Sequence, residues 1–131
     1  MEKVKTKQQK RAEFALEKLT TENGTVDHKL AQFIIGLPTM ILTNGLAQTF
    51  AFILSKKKKE PRYSQTFDML KEWLQKDMAD KFAGVNSNLD FIKKFNEMSA
   101  KDYIAAQDEC LRLVEWLKRY AKAFDQAEEK G

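Results

Sequence analysis

The side chains that most often carry catalysis are scarce in this 131-residue chain, which has one histidine, His28, and one cysteine, Cys110. A lone thiol makes no internal disulfide, and one His with one Cys excludes most nucleophile–base pairs and Cys/His metal sites. His28 stands at the start of a predicted helix, where a surface or capping role suits it. Cys110 falls on an apolar helical stripe, where a buried thiol is expected. The acidic pairs Asp77/Asp80 and Asp108/Glu109 could be drawn as metal ligands or acid–base partners, but exposed helical carboxylates explain them better. No two of the five glycines stand close enough for a phosphate-cradling loop, and there is no HExxH pattern. The expectation is a protein that is not an enzyme and uses neither a metal nor a cofactor.

Charge offers more than catalysis does. The formal net charge is +4, with 23 Lys and Arg against 19 Asp and Glu. Two short segments hold the excess: residues 1–20 carry a balance of +3 and residues 55–64 a balance of +4, leaving a slightly acidic remainder. The second segment is the run Lys56, Lys57, Lys58 and Lys59 followed by Arg62. Lys7, Lys10 and Arg11 represent the first, and Arg112, Lys118, Arg119 and Lys122 lie on the polar face of the last predicted helix. Such clusters attract polyanions, nucleic acid being the commonest. The same residues also suit a solvated tail and a flexible loop kept soluble by lysine.

These side chains need elements to position them. Few glycines, two prolines and no alternating β-branched stretches predict an all-α protein: a compact single-domain bundle of about six helices spanning residues 1–131. Nine Phe, two Trp and three Tyr supply enough to bury, so disorder is excluded. The predicted helices run over about Lys3–Thr20, Asp27–Ile35, Pro38–Lys57 and Tyr63–Ala79, then a short one marked by Leu89, Ile92, Phe95 and Met98. A long last helix to about Ala127 opens with Ser99 as its cap.

The third of these is the most informative. No charged residue occurs between Leu30 and Ser55, so a nearly all-apolar central helix is expected, with Asn44, Gln48 and Ser55 forming one polar seam. The two amides need buried partners within the bundle or on another subunit. A membrane span is disfavoured, because Pro38, Asn44, Gly45 and Gln48 interrupt the apolar run. Met1-Glu2-Lys3-Val4-Lys5 leads into no apolar stretch, so the expectation is a cytoplasmic protein without a secretory signal.

The stretch Leu37-Pro38-Thr39-Met40-Ile41-Leu42-Thr43-Asn44-Gly45-Leu46-Ala47-Gln48-Thr49-Phe50-Ala51-Phe52-Ile53-Leu54-Ser55-Lys56 resembles the signature of the small subunit of type III-B (Cmr) CRISPR effector complexes. Arg11-Ala12-Glu13-Phe14-Ala15 resembles that family's first-helix opening, and Leu111 to Phe124, with Trp116-Leu117-Lys118-Arg119-Tyr120-Ala121, its final helix. The resemblance implies a helical, non-catalytic subunit of a CRISPR-RNA-guided ribonucleoprotein in antiviral defence. Its implied partners are the other Cmr subunits, CRISPR RNA, target RNA, and further copies of itself stacked in a filament. Phosphate contact by basic side chains suits that role, because guide pairing, not the small subunit, reads sequence. The motif residues Leu37, Pro38, Met40, Asn44, Gly45, Leu46, Gln48, Ala51 and Phe52 are expected to be mainly structural. Two other readings stay open on the residues: a protein-only adaptor that docks subunits without touching RNA, and a DNA-binding regulator, for which no recognition helix is evident.

Overall fold

The computed structural model describes residues 3–129. Helix α1 (Lys7–Leu19) begins four residues later than the charge-rich start suggests. The Thr6 hydroxyl accepts the Gln9 N–H at 3.0 Å, and the Gln9 side chain accepts the Thr6 N–H at 2.8 Å. This reciprocal box satisfies orphan first-turn donors and fixes the start. α1 buries Arg11, Phe14, Ala15 and Leu19. Helix α2 (His28–Ile35) is capped by Asp27, whose carboxylate accepts the Leu30 N–H at 3.1 Å.

The expected third helix is two helices, α3 (Leu37–Asn44) and α4 (Leu46–Lys56). The break is Gly45, with φ 84° and ψ 161°, a conformation essentially restricted to glycine. Helix α4 has no capping side chain of its own. Its Leu46 N–H donates to Gln107 Oε1 at 2.9 Å, and its Ala47 N–H to the Tyr103 hydroxyl at 3.0 Å. A Cβ at position 45 would meet that hydroxyl at 3.3 Å. The chain therefore bends where glycine permits it and where a distant helix supplies the missing acceptors.

The bend corrects two expectations. α4 is not an apolar rod buried all round; it buries one face, Leu46, Thr49, Phe50 and Ile53. Asn44 and Gln48 form no inner seam, because both are exposed on either side of the turn. The motif divides accordingly: Leu37, Pro38 and Leu46 are buried, and Met40 and Gly45 half-buried. Ala51 is exposed, Phe52 keeps 40% of its surface and Leu42 68%.

Helix α5 (Pro61–Asp77) follows, then a 3-10 turn at Ala79–Phe82. Helix α6 (Asn88–Glu97) is capped by Ser87, and α7 (Ala100–Phe124) by Ser99, whose hydroxyl accepts the Asp102 N–H at 3.1 Å. A short α8 (Gln126–Glu129) ends the described chain. The described residues form eight α-helices where about six were expected, the difference being the split of α3 from α4 and the short α8. The fold is all-α, and the only β pairing among the described residues is an isolated bridge between Val26 and Asp125. Its two hydrogen bonds, Val26 N–H to Phe124 O at 2.7 Å and Gln126 N–H to Val26 O at 2.8 Å, tie the α1–α2 connection to the end of α7.

The buried apolar residues form one cluster running from Phe14 to Ala121. Phe50 sits at its centre, with ring centroids 5.5 Å from Phe67, 5.2 Å from Phe91 and 5.5 Å from Phe95. Full burial of one such ring contributes roughly 2–3 kcal/mol. Helix α7 crosses the assembly and packs against α1, α2, α3 and α5. Among the described residues, no helix is long and apolar enough to cross a membrane.

Candidate nucleic-acid interface

The lysine run closes α4. Lys56 is its last residue, and the chain turns through Lys59 N–H to Lys56 O at 2.9 Å before α5. Cations at a helix C-terminus oppose the partial negative charge of the unpaired carbonyls there, which favours this placement. Lys58 and Lys59 are exposed, and Lys56 and Lys57 half-buried. Lys56 Nζ lies 5.9 Å from the centre of the Phe52 ring. None of the four lysines has a salt-bridge partner among the described residues. Arg62 differs: its guanidinium pairs with Glu60 at 2.7 Å and covers the Tyr63 ring at 4.9 Å. It is a braced cation beside four that have no carboxylate partner among the described residues.

The basic residues of α1 do not behave as one patch. Arg11 is 7% exposed and forms a two-pronged pair with Glu109, Nε to Oε2 and Nη2 to Oε1 both at 2.7 Å. Trp73 Nε1 donates to the same carboxylate at 2.8 Å, and Lys7 Nζ lies 3.2 Å from it and 2.8 Å from Asp77. Burial alone would push the Glu109 carboxyl up, but the hydrogen bonds from Arg11, Trp73 and Lys7 outweigh it and hold the group below the usual carboxylate range. The Asp77 hydrogen bond in turn raises Lys7. Arg11 is thus corrected from a phosphate contact to a structural cation, its charge consumed inside the protein. Lys10 stays exposed and lines a groove between α1 and α5 with Trp73, Lys76 and Asp77.

On α7, Arg112 and Arg119 share a different groove, lined with Gln8, Glu115 and Trp116. Arg112 pairs with Asp108 at 3.0 Å across one turn. Arg119 and Lys122 are exposed and Lys118 half-buried, none with a salt bridge among the described residues. The three basic groups are therefore separated by the fold: the lysine turn, the α1–α5 groove and the α1–α7 groove. Gln8 and Trp116 were not singled out as site residues from sequence. The spacing Arg112, Trp116, Arg119 places all three on one helical face and is the signal that finds them.

Cys110 is fully buried, and burial pushes its thiol up, away from the reactive thiolate. His28 faces Asp125, with Nδ1 3.0 Å from Oδ1. Among the described residues no three His, Cys, Asp or Glu side chains are grouped to hold a metal ion.

A family model described as CRISPR-associated protein (Cas_Cmr5) matches residues 7–124. The match begins at the first residue of α1 and ends at the last residue of α7, so all three basic groups and the Gly45 bend fall within it.

Proposed function

Because this chain belongs to the CRISPR-associated Cmr5 family, the small subunits of type III-B Cmr complexes, we propose that it is a non-catalytic subunit that steadies guide or target RNA. It does so through basic surface residues while stacking with further copies of itself. The observation that carries the RNA half of this reading is the lysine turn. Four adjacent cations stand at the end of α4 with no carboxylate partner among the described residues. Flexible ammonium groups follow a phosphate chain without asking for sequence, and each phosphate they neutralise releases counterions. In a guide-directed complex that division of labour is sufficient, since base pairing does the reading. The stacking half is supported by the apolar side chains that the bend at Gly45 leaves outside, Leu42 and Phe52. The subunit acts as one domain, in the cytoplasm, where CRISPR RNA is available to it.

The test is a Cmr complex assembled with the wild-type chain or with K56E/K57E/K58E/K59E, its target-RNA capture measured by filter binding over a series of salt concentrations. Capture should weaken at least tenfold. The slope of log affinity against log salt should become shallower by about 3 if all four lysines meet phosphate. An intact complex whose capture is unchanged would establish the second reading, a protein-only adaptor, which the docking surface at Leu42 and Phe52 also suits.

A further inference from the structure

The groove between α1 and α7 has features that phosphate binding does not require. It is open, holds about 280 Å³, and is lined by Gln8, Arg112, Glu115, Trp116 and Arg119. That is slightly under the range of drug-sized pockets, which suits one planar ring system. Trp116 is half-buried and held in place: its Nε1 donates to Gln8 Oε1 at 3.1 Å, and its ring packs on Tyr120 with centroids 5.6 Å apart. Tyr120 in turn packs on Phe124 at 6.2 Å, so the indole stands at the head of an aromatic ladder along α7.

Gln8 is oriented as firmly. Its Oε1 accepts from both Trp116 Nε1 and Arg11 Nη1, the latter at 3.2 Å, and its amide N–H groups have no acceptor among the described residues. Arg11 is itself locked to Glu109, so the buried charge network fixes the amide that fixes the indole. The groove then offers a rigid aromatic surface, amide donors from Gln8, guanidinium donors from Arg112 and Arg119, and one acceptor, Glu115. A phosphate would use the cations but not the indole, and would be repelled by Glu115. A nucleobase uses all of them: its face stacks, and its edge carries both donors and acceptors.

We infer that this groove takes one unpaired base of single-stranded RNA, stacked on Trp116 and held at its edge by Gln8 and the two arginines. The inference rests on the RNA reading above but concerns a separate place and a different contact, since the lysine turn meets the backbone and this groove meets a base.

The experiment uses the assembled complex carrying 4-thiouridine in the guide or, in parallel, in the target, irradiated and mapped by mass spectrometry. The expected result is a cross-link to the α7 peptide containing Trp116 and Tyr120. Trp116→Ala should lose that cross-link and weaken RNA capture roughly tenfold, whereas Trp116→Phe, which keeps an aromatic ring, should retain most of both. A thermal melt of each variant separates loss of the site from loss of the fold. Cross-links to this chain that avoid α7 overturn the inference and leave the RNA reading standing. No cross-link to this chain from either strand also overturns the inference, while the RNA reading, which concerns backbone contact, is decided by the charge-reversal capture above. Equal capture by the Ala and Phe variants also overturns the inference, because it removes stacking as the contact.

Discussion

Two cationic regions of this protein are nearly indistinguishable as sequence and opposite as structure. Lys7, Lys10 and Arg11 on α1 and Lys56 to Lys59 at the end of α4 both read as basic runs inviting a polyanion. In the folded chain Arg11 is buried against Glu109, a residue 98 positions away, and Lys7 reaches Asp77 and the same glutamate. The four lysines meet no carboxylate among the described residues. A cation's availability is thus decided by whether the fold brings it a counter-charge. Cations that have one hold helices together; cations that lack one are left for a partner.

The polar contacts of α7 and the lysine turn should therefore respond differently to substitution. The largest effect is expected from Glu109→Leu, which strands the Arg11 charge and leaves the Trp73 N–H without its acceptor. Denaturant unfolding should show a loss of about 3 kcal/mol. Adding Arg11→Met to that variant should recover much of the loss, since apolar packing replaces a buried pair well.

Acid reads the same pair. The folded-state Glu109 group lies below its ordinary value, so its contribution is complete above about pH 4.3 and is lost as pH falls through the folded value. Lys7 is raised, so its contribution is complete below about pH 10.4 and is lost only at higher pH. Denaturation midpoints followed downward from pH 6 should fall in the wild type and fall less steeply in Glu109→Gln. An equally steep acid limb in that variant would assign the loss to other carboxylates.

The bend between α3 and α4 gives the next largest effect. Gly45→Ala places a side chain at φ 84°, in a region that costs roughly 2 kcal/mol for any other residue, and crowds the Tyr103 hydroxyl. Tyr103→Phe removes only the acceptor for the Ala47 N–H and should cost about 1 kcal/mol. If both were silent in thermal unfolding, the capping of α4 from α7 would be incidental. The smallest effect on stability is expected where function is expected to change most. Reversing Lys56 to Lys59 should shift unfolding by less than about 0.5 kcal/mol. A drop comparable to that of Glu109→Leu would erase the distinction between the two regions.

Much of the fold was legible because helices announce themselves locally. Ser99 was readable as a cap, Asp27 and Pro38 as helix starts and Ile35 as a helix end, and each marks an observed boundary within a residue or two. The start of α1 was misjudged because Lys3 and Lys5 are adequate helix formers, while the box between Thr6 and Gln9 needs both side chains folded back. The apolar run around Gly45 was misjudged for a stronger reason. Its hydrophobicity is compatible with a straight buried helix, and glycine alone does not force a bend. What forces it is the pair of acceptors that Tyr103 and Gln107 hold against the new N-terminus, more than fifty residues along the chain.

The candidate site follows the same division. Composition and charge established an all-α protein with little catalytic equipment and basic segments in three places, because propensity, burial and net charge are sums over neighbours in sequence. Which of those cations remain available, where the motif turns outward, and that Gln8 and Trp116 share a groove with Arg112 and Arg119 were decided only by tertiary structure. The reason is that a charge, an amide or an indole takes its role from the groups within a few ångströms of it, and in this protein those groups arrive from the far end of the chain.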